Sequence, residues 1–317
     1  MLNKSDRIMK KIILFFAAVA MAAGVASAQD INSVTEIYNN GAMELNMGNK
    51  EAALAQFQTA LSEAEALGDE GLEIAENCKV NIVAILSATA KELLKAEQYD
   101  AAMEQLNKTI ETANLYGNTS AADEAKTLIS QALLAKANNA LQNKDFATAV
   151  EAYQVVLAEN PANGLAHLYL GRAYTGLGKV AEAEAAFLLA AENGKEKDAF
   201  KQLSTIYVKL AQAANKAKNF QDAYDKAMKS NGYLENANAY RIAAGAAQQL
   251  GKTEECIGLF EKYLELKPNA KDAGGVKYTI AVLFQQAGNK EKAKEYYQMV
   301  VADPQYGASA VEILKTL

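Results

Sequence analysis

The chain has no tryptophan, one histidine, two cysteines and three prolines in 317 residues, and each scarcity closes off a class of protein. With His167 the sole imidazole, a Ser-His-Asp or Cys-His pair has only one place to form. There is no Cys-x-x-Cys, no histidine pair and no Asp-rich calcium loop, so the common metal-ligand spacings are missing. Cys78 and Cys256 are too few for a disulfide framework. No lysine- or arginine-rich block occurs that could neutralise a row of phosphates, which argues against a nucleic-acid partner. Val, Ile and Thr nowhere alternate as a half-buried strand requires. After Ala28, no apolar run approaches the ~20 residues of a membrane-spanning helix.

The segment before Gln29 has its own character. Lys10 and Lys11 precede an apolar run from Ile12 to about Ala22, and Ala26-Ser27-Ala28 supplies the small residues that signal peptidase accepts. This reads as a signal peptide over residues 1–28, cut after Ala28, with Met9-Lys10-Lys11 resembling its true start and Met1–Ile8 an extension. No cysteine stands at the cut to carry a lipid. The expectation is an exported protein, periplasmic or secreted, with no stable membrane anchor after cleavage. Removing the leader takes the net charge from −6 to −9. An anionic membrane surface would repel such a chain.

What is abundant is alanine, and with it a recurrent spacing. Gly171, Tyr174, Gly178, Ala183, Phe187 and Ala190 are echoed by Ala244, Gly251, Cys256 and Phe260, and again by Ala281, Phe284, Gly288, Ala293 and Tyr297. Pro161, Pro268 and Pro304 each follow a long helical pattern, where a residue unable to continue a helix is tolerated. With Ala183 as reference, the equivalents are Ala53, Ala102, Ala149, Ala223, Cys256 and Ala293, separated by 49, 47, 34, 40, 33 and 37 residues. The first two steps are stretched. They predict long helices over Lys50–Leu67, Gly71–Leu94 and Ser120–Gln142, with a closing helix over Tyr306–Leu317. Gly274-Gly275 lacks the strand and Gly-Lys-Ser/Thr of a phosphate loop and reads as a turn.

Residues 164–197 resemble the tetratricopeptide repeat, a 34-residue helix–turn–helix unit, with Leu170-Gly171, Tyr174, Gly178, Ala183, Phe187 and Ala190 at its signature positions. The resemblance implies an all-α fold: a right-handed superhelical array of about seven antiparallel helix hairpins, an α-solenoid, with a C-terminal capping helix. The expected organisation is a signal peptide at 1–28, long-helix hairpins at 29–163, and regular repeats plus cap at 164–317, in one continuous solenoid. The leader, the acidity and the long divergent repeats are similar to exported tetratricopeptide proteins of Gram-negative bacteria of the Bacteroidetes type. At roughly 10 Å per stacked repeat, Cys78 and Cys256 fall beyond disulfide reach and are expected as free thiols.

In this family the concave face is lined by fixed positions of each first helix. Carried over, they give Tyr38, Lys91, Asn138, Gln142, Arg172, Gln212, Asn215, Arg241, Gln248, Tyr278 and Gln285. That face is amide-rich and mildly basic within an acidic protein, which favours an acidic or carboxylate-bearing peptide. Only two arginines follow the leader, Arg172 and Arg241, and both fall there. An intra-array salt bridge is the competing role for either. The reading is a non-enzymatic protein-binding scaffold or adaptor of the cell envelope, without cofactor, metal, catalytic residue or nucleic-acid partner, and with self-association left open. The alternative is a glycan or peptidoglycan-peptide binder using Tyr38 and Tyr278 as a stacking track. Exposed tyrosines would favour it; tyrosines packed between helices would not. His167 reads as a packed imidazole.

Overall fold

The structure is a computed structural model that describes residues 30–317; the expected leader lies outside the described residues. Fifteen α-helices and no strand occur among the described residues. The first five are α1 (Ile31–Asn46), α2 (Lys50–Ala66), α3 (Leu72–Lys95), α4 (Tyr99–Leu115) and α5 (Thr119–Gln142). The next five are α6 (Phe146–Glu159), α7 (Gly164–Gly176), α8 (Val180–Ala190), α9 (Glu196–Lys216) and α10 (Phe220–Tyr233). The last are α11 (Ala237–Gln249), α12 (Thr253–Leu266), α13 (Ala273–Gln286), α14 (Lys290–Gln298) and α15 (Gly307–Leu314). The fold is all-α, and the three long helices expected near the N-terminus stand within a residue of their expected ends.

The chain divides into two compact units, one ending at Asn143 and the other running Lys144–Leu317. The boundary falls in the link between α5 and α6, whereas the division drawn at 163/164 followed repeat length. Within the first unit, α1 packs on α2, α2 on α3, α3 on α4 and α4 on α5. Phe57, Cys78, Ile82 and Ile85 fill the core of its first half. In the second unit, Leu168, Phe187 and Leu203 centre one cluster, and Phe260, Ile280, Tyr297 and Val300 belong to another.

Helix order follows from local chemistry. Side chains of Asp30, Asn118, Asp145, Asn163, Asn219 and Asn289 each accept from a backbone N–H in the first turn of the following helix, satisfying donors that the helix itself cannot. Apolar spacing supplies the inner faces. Along α9, Ala199, Leu203, Ile206, Leu210 or Ala211, and Ala214 recur every three or four residues and are buried or half-buried.

The seven links from a first to a second helix are all three residues long, at 47–49, 96–98, 143–145, 177–179, 217–219, 250–252 and 287–289. The middle residue of each has a left-handed backbone: Gly48, Glu97, Lys144, Gly178, Lys218, Gly251 and Gly288, with φ between 58° and 86°. In six of the seven, all but the link at 143–145, the residue after it closes the turn by donating to a carbonyl five residues back, as in Lys179 to Tyr174 at 3.0 Å and Asn219 to Ala214 at 2.9 Å. This is the Schellman ending, and it reverses the chain in the least length. Four links use glycine, for which the conformation carries no Cβ penalty. Three do not.

The register drawn from Ala183 holds throughout. Ala53, Ala102, Ala149, Ala183, Ala223, Cys256 and Ala293 lie at the fourth position of α2, α4, α6, α8, α10, α12 and α14, and each is 0% exposed. Gly274-Gly275 corrects the expectation of a turn: both lie in the first turn of α13. A Cβ on Gly274 would meet Asp303 Oδ2 at 1.9 Å, and one on Gly275 the Tyr306 hydroxyl at 2.9 Å. The segment leading into α15 approaches α13 too closely for a side chain there.

Candidate functional site

The residues carried over as a binding face all lie on first helices: Tyr38 on α1, Lys91 on α3, Asn138 and Gln142 on α5, Arg172 on α7, Gln212 and Asn215 on α9, Arg241 and Gln248 on α11, Tyr278 and Gln285 on α13. In the second unit, Arg172, Gln212, Asn215, Arg241, Gln248 and Gln285 are all solvent-exposed, while Gly171, Ala211, Ala214, Ala247 and Phe284 beside them are buried. One face of each first helix therefore packs and another is offered to solvent.

The two arginines differ. Arg241 Nε lies 2.5 Å from Asp272 Oδ2, joining α11 to the residue that precedes α13. Asp272 also accepts from the Tyr263 hydroxyl at 2.5 Å. Burial pushes its carboxyl up, but the tyrosine, the Arg241 charge and hydrogen bonds together outweigh that and hold it below the ordinary carboxylate value. Arg241 is thus engaged in a salt bridge between hairpins. Arg172 makes no ion pair among the described residues; its guanidinium lies 5.3 Å from the Tyr169 ring centroid on its own helix.

The other candidates are partly committed to the fold. Tyr38 is half-buried, edge-on to Phe57 at 5.4 Å, and its hydroxyl accepts from Asn81 at 3.2 Å. Tyr278 is half-buried, stacked on Tyr306 at 5.1 Å and edge-on to Tyr297 at 5.5 Å, where it helps seat α15. Both rings sit between helices, so they supply no open stacking track for sugars. Gln285 accepts from the Tyr297 hydroxyl at 2.8 Å. Exposed Lys91 pairs with Glu124 at 2.8 Å, tying α3 to α5. Asn138 is half-buried and Gln142 exposed.

The side chains weighed for chemistry are enclosed. His167 is 8% exposed; its Nε2 lies 2.9 Å from the Pro161 carbonyl, to which it donates as the Nε2–H tautomer, and Nδ1 is buried. Cys78 and Cys256 are free thiols with no exposed surface. Burial pushes Cys78 up to about 12 and Cys256 up to about 11, so neither is a ready nucleophile. No group of three or more potential metal ligands occurs among the described residues, and none of their helices is long and apolar enough to cross a membrane.

Residue-by-residue reading of first helices passed over two arrangements built on second helices. Glu184 of α8 accepts from the Tyr207 hydroxyl at 2.7 Å, from the Tyr233 hydroxyl and from Lys229 Nζ at 2.7 Å, drawing α9 and α10 onto α8. Lys229 also lies 4.5 Å from the Tyr207 ring centroid. The second arrangement is an open groove of about 1230 Å³ bordered by α2, α3 and α4. Its only trace in the sequence is the stretched spacing of the first two copies.

Comparison with known proteins bears on the repeat. Two tetratricopeptide-repeat family models match, one over residues 134–198 and another over 276–305. No curated protein matches the chain. Among solved structures, the chain is similar to MamA at 20% identity, over 55% of this chain and 96% of that one, with a TM-score of 0.32. YrrB, described as a repeat protein of this kind with an unusual peptide-binding site, shares 19% identity over 63% of this chain and 97% of its own, TM-score 0.33. PilF of Pseudomonas aeruginosa shares 17% over 57% and 79%, TM-score 0.30. The first-helix/second-helix register and the two family matches agree: residues 134–198 and 276–305 are tetratricopeptide repeats, carried by an all-α chain.

Proposed function

We propose that this protein is a non-enzymatic scaffold of the bacterial cell envelope that holds a peptide or protein partner on the exposed face of its first helices. One observation carries the reading. Arg172, Gln212, Asn215, Gln248 and Gln285 line up on successive first helices of the second unit, all exposed, next to buried neighbours that hold those helices rigid. Amides and a guanidinium on a rigid backbone suit an extended chain with its own amide and carboxylate groups. Arg172, unpaired among the described residues, favours a partner that brings a carboxylate, while Arg241 would have to give up Asp272 to take part. The leader supports export, to the periplasm or beyond it.

The test is affinity capture. The mature protein is presented to an envelope extract, and the captured proteins are compared with those held by the Arg172→Ala, Gln248→Ala double variant. Loss of a specific protein is the expected result. If every captured protein persists unchanged, the first-helix face is not the binding surface. Fractionation of cells should place a mature chain beginning at Gln29 outside the cytoplasm; an uncut chain in the cytoplasm overturns the location.

A further inference from the structure

From α8 to α14, second helices of consecutive hairpins are fastened together. Glu184 joins α8 to α10 through Tyr233 and Lys229. Lys252, which precedes α12, lies 4.5 Å from the Tyr224 ring centroid of α10. Tyr296 of α14 donates to Glu261 of α12 at 2.7 Å. The corresponding seam of the first unit, between α2 and α4, has no hydrogen bond or ion pair across it among the described residues. There the groove of about 1230 Å³ lies open instead.

Its lining has a definite chemistry. Ile85 and Leu86 of α3 form the base, Leu54 of α2 and Leu115 of α4 the apolar walls. Leu115 is 71% exposed, more than any other large apolar residue described. Charges stand at the rim. Lys50 is paired with Glu92 and Lys108 with Glu104, which leaves Glu51 on one wall and Glu111 on the other without an ion pair among the described residues. The stripe from Glu104 to Leu115 runs about 16 Å at 1.5 Å per residue, close to three turns of helix. Leu54, Ile85, Leu86 and Leu115 are the apolar patches of that trough, Gln58, Thr89, Gln105, Asn107 and Thr112 stand between them, and the rim carries unneutralised carboxylates. This mixture fits the apolar face of a short helix with cationic side chains at its margins.

We infer that the groove between α2 and α4 is a second binding site, distinct from the first-helix face, for an amphipathic helix of about three turns on a protein partner, apolar at i, i+3 or i+4 and i+7, and flanked by lysine or arginine. The stretched first helix of this copy, 24 residues against 17 in each neighbouring second helix, is part of the same feature.

The experiment uses two fluorescein-labelled helical peptides of equal length, just long enough to fill the groove, with the same leucine stripe. One is flanked by lysines and one by glutamates; each is titrated with the protein and read by anisotropy. The lysine peptide should bind at least tenfold more tightly. The Glu51→Lys, Glu111→Lys double variant should reverse the preference. Leu115→Asp should weaken the lysine peptide at least tenfold with an unchanged melting temperature, because that side chain is mostly in solvent. Equal binding of both peptides, binding of neither, or binding indifferent to Leu115→Asp overturns the inference. Loss of binding in the Arg172→Ala, Gln248→Ala variant but not in Leu115→Asp would place the peptide on the first-helix face and also overturn it. Dimerisation by sedimentation that Leu115→Asp abolishes would assign the groove to a second copy of the chain, against the inference.

Discussion

The ring of Phe187 lies across Gly171 so closely that a Cβ at 171 would stand 2.8 Å from Cδ1 and Cε1. The two residues face each other across the hairpin of α7 and α8, and the absence of a side chain on one admits the whole ring of the other. Phe187 is fully buried as a result.

That contact sets the first prediction. Gly171→Ala should lower stability by about 1–3 kcal/mol, as overpacking does in a rigid interior. Ala183→Leu, which enlarges a fully buried side chain on the same hairpin, should cost a similar amount. Gly258→Ala serves as the control: it is exposed within α12 and a Cβ there meets nothing within 4 Å. It should raise stability by up to about 1 kcal/mol through helix propensity alone. Chemical denaturation of the three variants checks the set, and a neutral Ala183→Leu would mean the hairpin packs differently.

The repeated turn makes a second prediction of opposite signs. Lys218 holds a left-handed backbone, φ 60°, at a position where other links place glycine. Left-handed geometry costs an L residue about 1–2 kcal/mol, partly offset by the extra freedom glycine loses on folding. Lys218→Gly should therefore stabilise by up to about 1 kcal/mol, and Gly178→Ala, φ 72°, should destabilise by about the same. Thermal melts that rank the two the other way would refute the strain argument.

Glu184 predicts a pH dependence. Burial raises its carboxyl pKa, but the hydrogen bonds from Lys229, Tyr207 and Tyr233 more than cancel this, and the net position is below the ordinary value. A carboxyl lowered in the folded state stabilises above its unfolded pKa, about 4.3, and loses that contribution as the pH falls through the folded value. The melting temperature should fall on acidification below about pH 4.3, and Glu184→Gln should flatten part of the slope. At the alkaline end burial, then the hydrogen bond to Glu184, pushes Tyr233 up to about 12, so its contribution is present below pH 10 and fades as the pH rises toward 12. A Glu184→Gln profile parallel to wild type at low pH would remove Glu184 from this role.

The thiols give a fourth. Cys78 and Cys256 are fully enclosed and held in the protonated form near neutrality. A chromogenic aromatic disulfide reagent at mildly alkaline pH should react slowly with the folded protein and rapidly with two thiols once guanidinium is added. Fast reaction of either thiol without denaturant would show that its helices open.

The fold was legible because its causes are local. The small residue at the fourth position of each second helix, the apolar spacing of three and four, and the asparagine and aspartate caps lie within a few residues of what they control. The turn was less legible: Glu97, Lys144 and Lys218 adopt the backbone of glycine without resembling it, and at Glu97 and Lys218 the Schellman bonds on both sides outweigh a single residue's preference. Gly274-Gly275 misled for the opposite reason. Its glycines look like a break, yet they serve a close approach from Asp303 and Tyr306, a contact no local pattern reveals.

Of the eleven residues proposed as a binding face, helix membership followed from the register, as did the exposure of eight, since a residue's side of a helix is settled by its position in the helical period, while Tyr38, Asn138 and Tyr278 are half-buried. Whether an exposed side chain is available was a matter of partners far along the chain. Arg241 is held by Asp272, beyond the whole of α12, and Tyr278 by Tyr306, while Arg172 has no ion pair among the described residues. Periodicity and small residues were enough to specify the helices and how each hairpin closes, because those forces act within one repeat. The seams between second helices, fastened around Glu184 and open beside Leu115, were decided only when separate repeats met, because charge pairing and groove shape depend on side chains that the linear spacing does not bring together.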